Sequence, residues 1–260
     1  MTLGFDMKNT IAWYEQNKEE LLARLPQATN QPFGFRTRNR EQIQLPTSEL
    51  AALLHLFPEQ ARERSLLKYI IGKPETWFHS DSTDSNPVPT TNLEEAISPT
   101  AIIPSFHEVT RKGWPDYTNI WLYQISPEAC SEDVKKIILT EGFVHELAHT
   151  INAPALYFQN YNLKLPDGTV VDAFQYVHQF ANLAENHSPI SHYSSTYRTA
   201  DNKFNPENLL TAINEELAET VAAYLLNFAF CDDSRGMNPF ADRPEVKEWT
   251  DNFLNAKLVK

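Results

Sequence analysis

His145, Glu146 and His149 stand in the order His-Glu-x-x-His inside the apolar-periodic stretch Glu141-Gly-Phe-Val-His-Glu-Leu-Ala-His-Thr-Ile151. On a helix turning about 100° per residue, the two histidines project about 40° apart and one turn apart along the axis, so both imidazoles reach one metal ion. Val144, Leu147, Ala148 and Ile151 keep the i, i+3, i+4, i+7 spacing of a stripe that packs on a core. Glu146 is rotated past the histidines, where it approaches a metal-bound water without being a ligand, the placement that suits a general base. The pattern is that of a helix-borne zinc site.

Two imidazoles do not complete such a site, because catalytic zinc takes three protein ligands and keeps a fourth position for water. One source for the third is the acidic stretch Asp167-Gly-Thr-Val-Val-Asp172, although Asp-Gly in that setting reads first as a hairpin turn. The stronger source is Asn214-Glu-Glu-Leu-Ala-Glu-Thr-Val-Ala-Ala-Tyr224, in which Glu215 and Glu219 are i, i+4 neighbours on one helix face. One carboxylate can bind the metal while the other orients a histidine. Ala218, Ala222 and Leu226 continue that face as small or apolar surface, which suits a cleft better than open solvent. A solvated acidic face near a helix N-terminus is the alternative for these residues, and a closed structural metal site is the alternative for the whole set.

With these two motifs the chain resembles the zincin metallopeptidases and, within them, the gluzincins. The resemblance is carried by His145, Glu146 and His149 in the first motif and by Asn214, Glu215 and Glu219 in the second. Glu215-Glu-Leu-Ala-Glu219 is also similar to the ligand helix of lethal-factor-type zincins, and Glu219 stands where the thermolysin pattern has Asp. A metzincin would need Gly at 152 and His at 155, where this chain has Asn152 and Ala155, so that class is excluded.

The resemblance implies a single Zn²⁺ held by His145, His149 and Glu215, with Glu219 and Asn214 behind the ligands and Glu146 as general base in peptide-bond hydrolysis. It also implies a hydrogen-bond donor to the developing oxyanion from Ser191-His192-Tyr193, Tyr193 first and His192 as the alternative. The zincin layout further predicts that the strand from Tyr117 to Ile125 borders the cleft and binds peptide by strand addition. A zincin-fold binding protein, and a zinc hydrolase acting on a non-peptide bond, are the competing functions. An N-terminal region that covers the cleft is a third possibility.

The elements that must position these residues are legible in outline. Met7 to Leu25 reads as an amphipathic helix ended before Pro26, residues 26–46 as irregular, and Glu49 to Phe57 as a helix capped by Ser48. Pro58 opens a further helix to about Ile71, so the first 78 residues are expected to be helical. The Ser-, Asp- and Pro-rich run from His79 to Asn92 marks a linker. It divides a helical N-terminal region (1–92) from a zincin-like domain (93–260), giving an α+β fold, mainly helical with a small mixed sheet. Residues 100–110 and 117–125 read as strands. Ser126-Pro127 or Ser131 caps the motif helix, and Pro166-Asp-Gly168 joins two strands of a hairpin. Helices follow from Asp172 to Asn186, from Pro206 to about Phe230, and from Arg243 to about Leu258.

The 34 acidic and 22 basic residues give a formal charge of −12, which argues against a nucleic-acid binder or a binder of anionic membranes; the peptide or protein substrate is what the resemblance implies. Only Cys130 and Cys231 are present, so there is no disulfide framework. The N-terminus lacks the pattern of a signal peptide and no apolar run spans a bilayer. A cytoplasmic protein, or one exported without a cleaved signal, is expected.

Overall fold

A computed structural model of the chain describes residues 7–73, 77–78, 88–89, 100–109, 115–125, 129–157, 161–229 and 234–259. The fold is α+β, and the chain divides into two compact units. One comprises Leu3–Leu53 and Leu67–Glu146, the other Leu54–Leu66 and Leu147–Lys260. The division passes between Glu146 and Leu147, inside one continuous helix, α4 (Glu132–Tyr157).

The first unit begins with α1 (Met7–Arg24), ending before Pro26 as expected, and continues through β1 (Arg36–Arg38) and α2 (Thr47–Leu56). Its sheet also holds β2 (Leu67–Lys73), β5 (Thr100–Val109) and β6 (Pro115–Tyr123), in the order β1-β2-β6-β5. The β1/β2 and β2/β6 pairs are parallel and β5/β6 is antiparallel. Between β2 and β5 lie β3 (Trp77–Phe78) and β4 (Val88–Pro89), an antiparallel pair of their own. The expected linker from His79 to Asn92 falls outside the described residues except at β4.

Two expectations are corrected here. The helix opened by Pro58 stops at α3 (Glu59–Glu63), and residues 67–73 form β2 instead. Tyr69, Ile70 and Ile71 are aromatic or β-branched, and Ile70 pairs with Ile120 across the ladder, both fully buried, so packing outweighs helix propensity there. The strand expected to take up peptide, β6, is flanked on both sides by β2 and β5. Its backbone groups are already paired, and the edges of the sheet are β1 and β5. Gly72 is required by close approach: a Cβ there would stand 2.3 Å from the Asn39 carbonyl, whose residue adopts φ 48° and donates from Nδ2 to the Gly72 carbonyl at 3.2 Å.

The N-terminal part of α4 is anchored within this unit. Ser131 caps it, its hydroxyl accepting from the Val134 N–H at 3.4 Å, and Glu132 and Asp133 occupy the first turn, where the helix dipole favours negative charge. From α1, Glu15 accepts the Ser131 N–H at 3.0 Å and the buried Tyr14 donates to Glu141. Lys136 pairs with Glu49 of α2 at 2.8 Å.

In the second unit, Pro154 lies inside α4 and has no N–H to offer the carbonyl of Thr150, four residues back. The Leu66 N–H fills that place at 3.0 Å, and the hydroxyls of Ser65 and Thr150 meet at 2.6 Å. The helix therefore runs unbroken past the position where proline would otherwise leave a buried acceptor empty. After it come β7 (Asn162–Lys164) and β8 (Val170–Asp172), an antiparallel hairpin turned at Gly168 with φ 90°, a conformation that suits glycine. Next come α5 (Ala173–Ala184), the short α6 (His192–Ser195), α7 (Leu209–Leu226) and α8 (Pro244–Asn255). The expected last helix ends three residues early, and β9 (Lys257–Val259) pairs antiparallel with β7.

An aromatic stack, Tyr176 on Trp249 at 4.8 Å and Trp249 on Phe253 at 4.9 Å, ties α5 to α8. Arg64 closes the end of α8. Its buried guanidinium donates to the carbonyls of Phe253 and Ala256, both at 2.7 Å, and lies 4.4 Å over the Phe253 ring. Removing it strips the charged donors from two carbonyls at a helix C-terminus. Arg64→Ala is expected to lower stability by about 3 kcal/mol, read as a fall in the midpoint of urea unfolding.

Candidate metal centre

The site is assembled on α4 and α7. His145 and His149 occupy successive turns of α4 and are 8% and 4% exposed, and Glu215 lies in the second turn of α7. One ligand atom from each of the three lies within 4.8 Å of the others, a group that could hold a metal ion. His149 Nε2 and Glu215 Oε2 are 3.3 Å apart. Ligands at zinc-like distances around a tetrahedral ion stand about 3.3 Å from one another, so this pair already has the spacing of two ligands on one ion. Two nitrogens and one carboxylate oxygen are also a donor set that suits zinc.

The aspartates that offered an alternative are engaged otherwise. Asp167 accepts the Thr169 N–H at 2.8 Å in the hairpin turn, and Asp172 caps α5 by accepting the Gln175 N–H at 2.8 Å. Both are exposed. At Asn152 and Ala155 the backbone is still helical and both residues are buried, so α4 passes straight through the positions where a metzincin would turn and ligate.

The other candidate residues are placed as follows. Glu146 follows His145 on α4 and is 6% exposed. His192 opens α6, half-exposed, with its carbonyl accepting from the Ser195 hydroxyl at 2.6 Å. Tyr193 is next in α6. Burial first, and then the negative charges of Glu215 and Glu219, raise its phenol far above the ordinary value, so it stays a protonated donor. Its hydroxyl meets that of Tyr197 at 3.0 Å. Burial and then Glu215 push the phenol of Tyr157, the last residue of α4, up to about 12, with Asn214 acting in the opposite sense.

The sequence assigns no role in the site to Tyr157, Tyr197 or Glu216. Tyr157 lies two turns beyond His149, a spacing that carries no signal by itself. Tyr197 is four residues after Tyr193, a helical spacing that was available. Glu216 is 2% exposed and pairs with Arg198 at 3.2 Å. Its helix face continues through Thr220 and Ala223, both buried. Truncating one partner of such a pair leaves the other charge buried and uncompensated.

No protein family matches the chain, and neither a curated protein nor a solved structure was found similar to it. No helix among the described residues is long and apolar enough to cross a membrane.

The donor set predicts one zinc per chain. His149→Ala and Glu215→Ala are each expected to weaken zinc binding by 10-fold or more, whereas Asp167→Ala is expected to keep full occupancy. Metal analysis after dialysis against a weak chelator measures both.

Proposed function

We propose that the chain is a zinc-dependent peptidase of the gluzincin kind, acting on a peptide or protein substrate with one zinc ion held by His145, His149 and Glu215. The observation that supports this reading is the His-His-Glu set on two helices, its histidines buried and its glutamate half-buried, with Glu146 beside it on the same helix as the histidines. Catalytic zinc sites use three such ligands, whereas a closed structural site would call for a fourth protein ligand and have no use for Glu146.

Zinc bound there supplies Lewis acidity toward a water and toward a carbonyl oxygen. The proton traffic belongs to Glu146. Its carboxylate accepts a proton from the attacking water as the oxygen adds to the peptide carbonyl carbon, and it returns that proton to the leaving nitrogen as the C–N bond breaks. Tyr193 donates its phenolic hydrogen to the carbonyl oxygen, where negative charge gathers in the transition state. Its environment keeps that hydrogen in place. Glu219, one turn beyond Glu215 on α7, and Asn214, the residue before Glu215, stand behind the ligands.

The test is hydrolysis of an unbiased peptide library by the purified chain, with and without chelator. Glu146→Gln is expected to retain one zinc per chain and lose activity by about 10²- to 10⁴-fold. Tyr193→Phe is expected to lower kcat by about 10²-fold with little change in KM. Unimpaired hydrolysis by Glu146→Gln would overturn the mechanism. A zinc-loaded chain that cleaves no peptide would remove the peptidase reading.

A further inference from the structure

We propose that Glu216 is a positioning residue which, through Arg198, holds the tyrosine-bearing turn 190–198 in register with the ligand helix; this rests on the reading of Tyr193 as donor to the substrate carbonyl. Glu216 adjoins Glu215 on α7 but points into the protein, where its Oε1 accepts the Ile190 N–H at 3.2 Å. The same oxygen stands 3.2 Å from Arg198 Nη2, both side chains being 2% exposed. One carboxylate therefore holds the turn before and after α6.

The segment between those holds is itself well fastened. Ser191 and Ser194 form a reciprocal capping box around the start of α6, with Ser191 Oγ accepting the Ser194 N–H at 3.0 Å. Arg198 lies 3.8 Å over the Phe204 ring and donates from Nη1 to the Asn202 carbonyl at 3.1 Å. Tyr193 is thus carried on a short turn that Glu216, the residue next to Glu215, ties to α7.

Adjacent Cα atoms are about 3.8 Å apart, so the candidate ligand and the clamp share one peptide unit. Any slip of the turn moves the Tyr193 hydroxyl relative to the Glu215 carboxylate, and a misplacement of about 1 Å can cost about 10²-fold in rate. An apolar pair of equal volume could fill the same space. It would lack the contacts to Ile190 and Arg198 that set the height of the turn along the helix.

The experiment is a double-mutant cycle on the zinc-loaded chain, using Glu216→Gln, Tyr193→Phe and the two combined. Glu216→Gln keeps the shape and the acceptor for the Ile190 N–H but removes the charge that holds Arg198. It is expected to retain one zinc per chain, lower kcat about 10-fold or more with KM nearly unchanged, and leave the double variant no slower than Tyr193→Phe alone. Hydrogen exchange of the 190–198 amides is expected to quicken about 10-fold or more while α7 stays protected. Losses that multiply in the double variant, or exchange unchanged in the turn, would overturn the proposal. Should Glu216→Gln fold too poorly to assay, Arg198→Lys, which keeps the charge but not the guanidinium geometry, carries the same expectations at smaller size. A wild-type chain that hydrolyses no peptide defeats the peptidase reading, and the exchange measurement still decides the clamp.

Discussion

The site depends on the approach of His149 to Glu215, 3.3 Å between a nitrogen and an oxygen on two different helices. In a buried setting such a contact needs both helices fixed in rotation and in height, since a rotation of a few tens of degrees would separate the two groups. The fixing is done by apolar burial around both helices. On α4, Val144, Leu147, Ala148 and Ile151 are all fully buried, and on α7 the same holds for Leu217, Ala218 and Val221. Burying side chains of this kind is worth about 1.5–3 kcal/mol each for the larger ones, enough to hold polar groups where they would not gather unaided.

Much of the remaining architecture removes the polar difficulties that this burial creates. Pro154 leaves the Thr150 carbonyl without its helical donor, and the Leu66 N–H supplies one. Ser131 closes the start of α4, while Asn227, with φ 59°, terminates α7 in the left-handed conformation usual for such an end. Glu216 is the costliest of these groups, because an ionised carboxylate cannot be buried alone. Burial raises its pKa, against Arg198, the Ile190 N–H and Ser194, all of which favour the charged form. The same contacts that stabilise the charge also locate the turn carrying Tyr193.

Within α7, neighbouring glutamates therefore do different work. Glu215 faces His149, Glu216 faces Arg198, and Glu219 returns to the side of Glu215, where its charge reaches the Tyr193 phenol. Helical periodicity separates Glu215 from Glu216 by about 100° and brings Glu219 back to within about 40° of Glu215. That arithmetic is visible in Asn214-Glu-Glu-Leu-Ala-Glu219, but the burial of Glu216 is not, because a glutamate beside others reads by default as solvated.

The sequence by itself determined the local features: the helical phase of His145, Glu146 and His149, the pairing of Glu215 with Glu219, the turn at Asp167-Gly168, and the order of most elements. Each follows from covalent spacing or short-range chemistry, which neighbouring residues encode among themselves. Only tertiary structure decided that residues 67–73 are a strand, since the partner that makes them one, Thr118 to Tyr123, lies far along the chain. It likewise decided that β6 is interior to its sheet, that β9 joins β7, and that Arg198 lies against Glu216. These outcomes turn on which surfaces meet, and pairing between distant segments leaves no periodicity in either of them.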